Sequence, residues 1–430
     1  MQIITNISGL LIFLSFIGTI FTYFYNLELL IYAASFAWVS LLILFASIKK
    51  KKMLLILSFL SLIAFSISYF NDFKIDFIKV FIVNQYLLTL LIGVGFLRLI
   101  AIPKKDKQNK LPIGKESFFK TYLGVHLFGS VINLSSLVLV ADKFYKKAPL
   151  SNAQIILLTR AFASDAYWSP FFVAFAAVLT YTPNLSASII LINGIFLALI
   201  AFLITYVEVI KNKEFNIKEF RGYPLSFDSL LLPLCLAFLV LLTNHYFPDI
   251  KVIVLVSSFA LLLTFFVLPI KKGIKQAIKL LNSHITKELP NMKMEMSLFL
   301  IAGMFGISIS SILVGLNLTL PFEVFDWIIA SILLAIFIIL AFIGIHPIIT
   351  IAIIGDFLSG VNHTLLAVTF LMAWSTTVST SPFSGLNLTI VARYKVEGVR
   401  IFKLNIKYAL KMYLVCVLCL FILSNYLQIS

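Results

Sequence analysis

Stretches of roughly 20 apolar residues follow one another along this chain, each long enough to cross ~30 Å of hydrocarbon as a helix. Lysines gather in the short gaps between them. Segments of about ten residues with alternating polarity, the signature of a membrane barrel, do not occur. Composition agrees: 61% of the 430 residues are hydrophobic and 12% are charged, an apolar share above the roughly half typical of a water-soluble fold. The reading is an all-α polytopic membrane protein with the lipid bilayer as its surroundings. The formal charge of +16 lies in loops and not along one stripe, which marks cytoplasmic loop bias and argues against a nucleic acid partner. Cys235, Cys416 and Cys419 lie within apolar runs, so they read as packing, with no disulfide framework and no metal site expected.

Charge then orients the helices. Residues 8–25 and 29–48 form two spans that end on Lys49-Lys50-Lys51-Lys52, a tract that belongs in the cytoplasm. The N-terminus is therefore expected inside, as a retained helix and not a cleaved leader. Spans 53–70 and 80–102 follow, the second returning to Lys104, Lys105, Lys107 and Lys110. An ordinary crossing by residues 122–140 would leave Lys143, Lys146 and Lys147 outside. A re-entrant hairpin from the cytoplasm removes the conflict, and such a turn is tolerated at membrane depth only where protein or a cavity surrounds it.

Residues 152–181 cross outward, interrupted around Ser164-Asp165-Ala166-Tyr167-Trp168-Ser169-Pro170, where proline removes a backbone donor. Span 186–210 returns to a basic linker, 212–225. Spans 226–246 and 252–270 open the second half. An interfacial amphipathic helix over 274–289 and span 297–315 come next. A second hairpin over 326–359 turns at Gly344-Ile345-His346-Pro347, a crossing over 365–394 breaks at Ser379-Thr380-Ser381-Pro382, and span 408–426 ends in the periplasm. The expected total is about 11 transmembrane helices plus two re-entrant hairpins.

These elements read as inverted repeats with broken helices. Residues 29–211 form the first repeat and 226–430 the second, with 1–28 as an extra N-terminal helix. Ser169-Pro170-Phe171 matches Ser381-Pro382-Phe383, and the same alignment pairs Ser164 with Thr376 and Asp165 with Thr377. Gly124-Val125-His126 echoes Gly344-Ile345-His346, which puts the two histidines in matching places. The repeat match sets the first hairpin's tip at 124–126, whereas charge and length set it within 129–136.

This layout resembles the ion transporter superfamily, which includes the divalent anion/sodium symporters. The resemblance implies inverted repeats whose re-entrant hairpins and unwound helices together form substrate and cation sites. The symporters' Ser-Asn-Thr signature is missing; Asn133-Leu134-Ser135-Ser136 is a loose stand-in in the first hairpin, and the second has no similar tripeptide.

Broken helices present half-helix ends suited to an anion, and hydroxyls suited to a substrate or a small cation. Ser164, Ser169, Thr376, Thr377, Ser379 and Ser381 are the candidate substrate ligands, with Asn387, His126 and His346 beside them. The alternative for the hydroxyls is that they satisfy backbone groups freed at the breaks. Asp165, with Asn133 and Ser135, is the candidate coupling site, taking either Na+ or H+; a carboxylate at this depth needs a cavity or a partner. Arg160 is read as its partner one turn earlier, as an anion ligand, or as a cytoplasmic helix end. Each histidine is read as a ligand or titrating group, or as a hydrogen-bonded core residue. Asp356 and His363 border the second hairpin, most simply as solvated groups.

The expected function is secondary active transport of a small, anionic metabolite across a bacterial inner membrane by alternating access, with Na+ or H+ as coupling ion and no other cofactor. Proton-driven export is the alternative within transport, and an intramembrane transferase acting on a lipid-linked substrate is the alternative of another class. Neither an H-E-x-x-H nor a P-loop is present, so no enzyme activity is expected. The oligomeric state is open, a homodimer among the options.

Overall fold

The computed structural model describes residues 2–48, 51–101, 112–223 and 231–429. Those residues are helical apart from turns and one isolated bridge between Ile113 and Arg221. Among the described residues eight helical stretches are long and apolar enough to cross a membrane, and two more apolar helices are shorter. This is the build of a polytopic membrane protein. Of the basic tracts that oriented the spans, Lys49, Lys50, Lys104, Lys105, Lys107 and Lys110 lie outside the described residues, as do 224–230 around the linker.

The chain divides into two compact units, and each draws on both halves of the sequence. The first comprises Met1–Ile102, Leu234–Leu320 and Ile351–Ser359; the second comprises Pro103–Pro233, Pro321–Thr350 and Gly360–Ser430.

The first unit contains α1 (Gln2–Tyr25), α2 (Leu30–Phe45), α3 (Lys52–Phe70), α4 (Phe77–Ile82) and α5 (Gln85–Ala101). From later in the chain come α11 (Leu231–Tyr246), α12 (Val252–Lys272), α13 (Ile274–Ser283) and α14 (Lys293–Gly315). Phe16, on α1, stacks with Phe96, on α5, at 5.9 Å. Beside them Gln85 donates to Ser15 Oγ and Thr19 Oγ1, both at 2.7 Å. The expected span over 80–102 is present as one apolar stretch, Phe77–Ile100, with a short turn between α4 and α5. The junction holds Asn84, whose side-chain amide donates to the Phe299 carbonyl at 2.7 Å. The amphipathic helix starts as expected, with Ile274 and Ile278 exposed and Ala277 buried. It runs on through a π-turn, His284–Glu288, into α14.

The second unit contains α6 (Lys115–Ile132), α7 (Leu134–Tyr145), α8 (Asn152–Ala163), a 3-10 turn (Ser164–Tyr167), α9 (Val173–Tyr181) and α10 (Ala187–Lys211). It also contains α15 (Trp327–Phe342), the start of α16 (Pro347–Gly355), α17 (His363–Thr380), α18 (Gly385–Tyr394) and α19 (Gly398–Tyr426). Helix starts are set locally: Ser151 and Gln154 form a capping box on α8, Asp326 caps α15, and Asn362 caps α17. On α10, Ile192, Phe196, Leu199 and Leu203 are exposed while Ile190, Leu197, Ala201 and Thr205 are buried. An apolar helix with an apolar outer face fits hydrocarbon surroundings.

Both expected helix interruptions are present, each slightly displaced. The first break spans 168–172, after the 3-10 turn, and the second spans 381–384. α17 stays helical through the hydroxyl-rich stretch because Thr377 and Ser379 bond back to the carbonyls of Trp374 and Thr376. It stops only at Ser381, held extended (φ −61°, ψ 127°) by the following Pro382.

Close helix approach in the first unit depends on Gly306. A Cβ there would sit on the Ala352 carbonyl oxygen. Gly306→Val is expected to lower stability by ~1–3 kcal/mol, read as a drop in the thermal midpoint of the detergent-solubilised protein; an unchanged midpoint would contradict this packing.

Candidate functional site

Each proline break is held by the same joint. In the first, the Ser169 hydroxyl donates to the Ser130 carbonyl at 2.6 Å and accepts from the Phe171 N–H at 3.2 Å. In the second, Ser381 donates to the Ala341 carbonyl at 2.6 Å and accepts from the Phe383 N–H at 3.2 Å. Three residues beyond each accepting carbonyl the backbone turns into positive φ, at Asn133 (φ 50°) and Gly344 (φ 104°). Asn and Gly are the residues that tolerate that region. These turns separate α6 from α7 and α15 from α16. Two helix pairs are thus pinned to two broken helices by one repeated device.

The joints set the register between the halves, and it differs from the one expected. Asn133 corresponds to Gly344, so His346 falls opposite Ser135, and His126, four residues before Ser130, falls opposite Phe337. The two histidines do not occupy matching places. The shared Gly-x-His spacing is a coincidence of short motifs, and the first turn lies at Asn133, within the 129–136 range and away from 124–126.

Around the first break, Asp165 is fully buried. Its Oδ1 lies 2.7 Å from His126 Nδ1, yet neither carboxylate oxygen receives an aligned hydrogen bond. Nδ1 also faces the Ala161 carbonyl at 3.1 Å and Ser164 Oγ at 3.0 Å. The Ala161 carbonyl can only accept, and the Ser164 hydroxyl donates to that same carbonyl, an arrangement that favours a hydrogen on Nδ1. On the far side of the ring, Trp168 Nε1–H donates to Nε2 at 3.1 Å. Indole is a donor only, so Nε2 presents its lone pair. The Trp168 contact thus fits a neutral imidazole with its hydrogen on Nδ1.

Gly129 makes this arrangement possible. The Asp165 carboxylate lies where a Cβ on residue 129 would be, so only glycine lets α6 pass so close. Gly129 and Ser130 lie within the range expected for the first hairpin's tip and Trp168 within the expected interruption, but none of the three was a candidate ligand, although a tryptophan one residue before a Ser-Pro break is a detectable signal.

Arg160 is paired with Glu208 and not with Asp165. It is fully buried, and its fork grips Glu208 at 3.0 and 3.2 Å. It also donates to Asn405 Oδ1 and the Leu404 carbonyl, and its guanidinium lies 4.2 Å over the Tyr408 ring. Its charge and donors are committed to joining α8, α10 and α19.

The second break borders a small open cleft lined by Gly344, His346, Thr377, Ser381, Phe383 and Ser384 among others, with no acidic side chain. His346 Nδ1 accepts the Ile348 N–H at 3.2 Å, which leaves Nε2 as the nitrogen that carries hydrogen. The ring meets Trp374 edge-on at 5.4 Å. Asn387 is spent on backbone: its amide donates to the carbonyls of Val378, Ser379 and Ser381. Thr376 reaches the Tyr167 hydroxyl at 3.4 Å and Ser379 reaches Thr380. Asn133 makes a long bond, 3.4 Å, to the Phe171 carbonyl, while the side chain of Ser135 lies outside the described residues. The candidate ligands therefore separate into two groups: Ser164, Asp165 and His126 at the first break, and His346, Thr377 and Ser381 at the second. Asp356 pairs with Lys79 at 2.8 Å, and His363 accepts the Asn184 N–H. No group of three or more metal-ligating side chains occurs among the described residues.

Gly129→Ala is expected to cost ~1–3 kcal/mol by forcing the carboxylate aside. Asp165→Ala in the same chain should recover most of that loss, since neighbouring sites couple. Additive losses in thermal unfolding would show that the two residues do not touch.

No protein-family model matches the chain, and no curated protein matches it.

Proposed function

We propose that the chain is a secondary active transporter that moves a small anionic metabolite across the bacterial inner membrane by alternating access, coupled to H+ or Na+. The observation that carries this reading is the duplicated joint: Ser169 on Ser130 and Ser381 on Ala341, each beside a positive-φ turn. Two copies of a helix pair pinned to a proline-broken helix match the way transporters build midplane sites from repeats. The layout supports membership of the ion transporter superfamily as part of the same proposal, with the paired helices as re-entrant hairpins inserted from opposite sides. The lysine-rich loops support a cytoplasmic N-terminus and a periplasmic C-terminus.

An anionic cargo follows from the donor balance of the pocket. It offers the His346 Nε2–H and hydroxyls, beside the first turns of α16 and α18, and lacks carboxylates. Helix N-terminal ends carry roughly half a positive charge and unpaired N–H groups. Asp165, buried beside His126 and without an aligned hydrogen bond, supports a coupling-ion site at the first break.

Purified protein in proteoliposomes, given a panel of labelled mono- and dicarboxylates under separately imposed proton and sodium gradients, is expected to accumulate at least one acid against its gradient. Asp165→Asn is expected to reduce that accumulation tenfold or more while leaving downhill exchange. Flux independent of both gradients, or turnover of a lipid-linked substrate, would sink the reading.

A further inference from the structure

The first break contains two hydrogen-bonding states that exclude each other. In the structure the Trp168 indole N–H occupies His126 Nε2, the one ring nitrogen able to take a proton, since Nδ1 already carries one. A proton arriving from water at Nε2 turns that acceptor into a donor, and two N–H groups then oppose each other. The imidazolium and the Trp168 bond cannot coexist. Trp168 begins the break, following directly on the 3-10 turn and preceding the Ser169 that closes the joint. A change at His126 is therefore delivered to the point where the helix is discontinuous.

The setting favours a proton over a metal ion as the agent. The nearest polar neighbour of the Asp165 carboxylate is an imidazole nitrogen, and its other oxygen rests against Gly129; a hard cation needs a shell of oxygens. The His126 side chain is 12% exposed whereas Asp165 is 0% exposed, so the ring is the more accessible member of the pair. With Asp165 ionised and His126 neutral, the pair holds one buried negative charge. With His126 protonated the two charges cancel, at the expense of the indole bond.

Competing charges are committed elsewhere. Arg160 of α8 is paired with Glu208 of α10, and Asp142 of α7 meets Arg393. Lys143 of α7 lies 3.9 Å over the Tyr223 ring, and Tyr167 turns to Thr376. Lys218 and Glu219, in the 3-10 turn packed on α6, are exposed. Tyr122, one turn earlier on α6, stacks 6.5 Å from the His126 ring and is the nearest other titratable group.

We propose that His126 is the site that takes up and releases the coupling proton, and that Trp168 is the positioning residue whose hydrogen bond breaks and re-forms with each proton. The step balances simply: one proton leaves water and occupies the Nε2 lone pair, one N–H···N bond is lost, and the reverse occurs on release. The inference rests on the transporter reading for its role in coupling, while the proton-dependent contact itself does not.

The test keeps these apart. The full chain labelled with 5-fluorotryptophan has four tryptophans, and the resonance of Trp168 is assigned by its loss in Trp168→Phe. Between pH 5 and 8, roughly the range in which histidines titrate, that resonance is expected to move, and in His126→Gln to stay fixed. A Trp168 signal that ignores pH, or that moves equally in His126→Gln, overturns the proposal. In proteoliposomes a proton gradient alone is expected to drive uptake. Trp168→Phe, which keeps the ring and removes the donor, should raise the pH of half-maximal uptake by about half to one unit; an unmoved profile overturns the role of Trp168. Uptake driven by sodium and indifferent to pH overturns the proton assignment and leaves the transporter reading intact. A titrating Trp168 without gradient-driven flux removes the transporter reading and leaves the proton site.

Discussion

A proline inside an apolar helix removes a backbone donor and leaves carbonyls that hydrocarbon cannot satisfy. In this protein one serine hydroxyl at each break accepts the N–H two residues on and donates to a carbonyl of the neighbouring helix pair, while the Val378 carbonyl, four residues before Pro382, is taken by Ser384 and Asn387. Everything else at the two sites is built around that bridge. It fixes the distance from a broken helix to a positive-φ turn, and it defines the correspondence between halves more securely than matched letters do. The Asn387 amide extends the repair in the second copy, where it covers three more carbonyls.

Charge is arranged by a different logic in each place. Arg160 and Glu208 form a buried bidentate pair supported by Asn405 and a backbone carbonyl. Every strong donor there has a partner, which makes the group a brace; removing one member of such a buried pair is the costly event. Asp165 and His126 touch without an aligned hydrogen bond from the ring to the carboxylate. An incompletely satisfied buried carboxylate is uncommon and asks for a functional reason.

The helical class and the two breaks were legible because they follow from local rules: apolar run length, and proline with the residue before it. The turn at Asn133 was within reach for the same reason, since Asn is among the few residues that accept positive φ. What failed was the equivalence of His126 and His346. A three-residue echo carries little information beside a hydrogen bond between residues about 40 positions apart, such as Ser169 to Ser130. The partners of Arg160 were likewise hidden, because Glu208 and Asn405 lie 48 and 245 residues away. A helical spacing rule proposes only the residue one turn off, and it named Asp165. The turn between α4 and α5 was missed because Asn84 looks like one tolerated amide in an apolar run, until the Phe299 carbonyl gives it a partner.

The correspondence set by the joints places His126 opposite Phe337, and Phe337 stacks on Phe370 at 5.5 Å with its ring nearly parallel. One copy of the device thus surrounds its joint with titratable groups, and the other packs the equivalent position with plain aromatic bulk. The joint itself uses only main-chain atoms and a hydroxyl, so the residues around it take no part in closing it. A chain made this way can vary the side chains at either break, one at a time, without touching the serine bond that closes it.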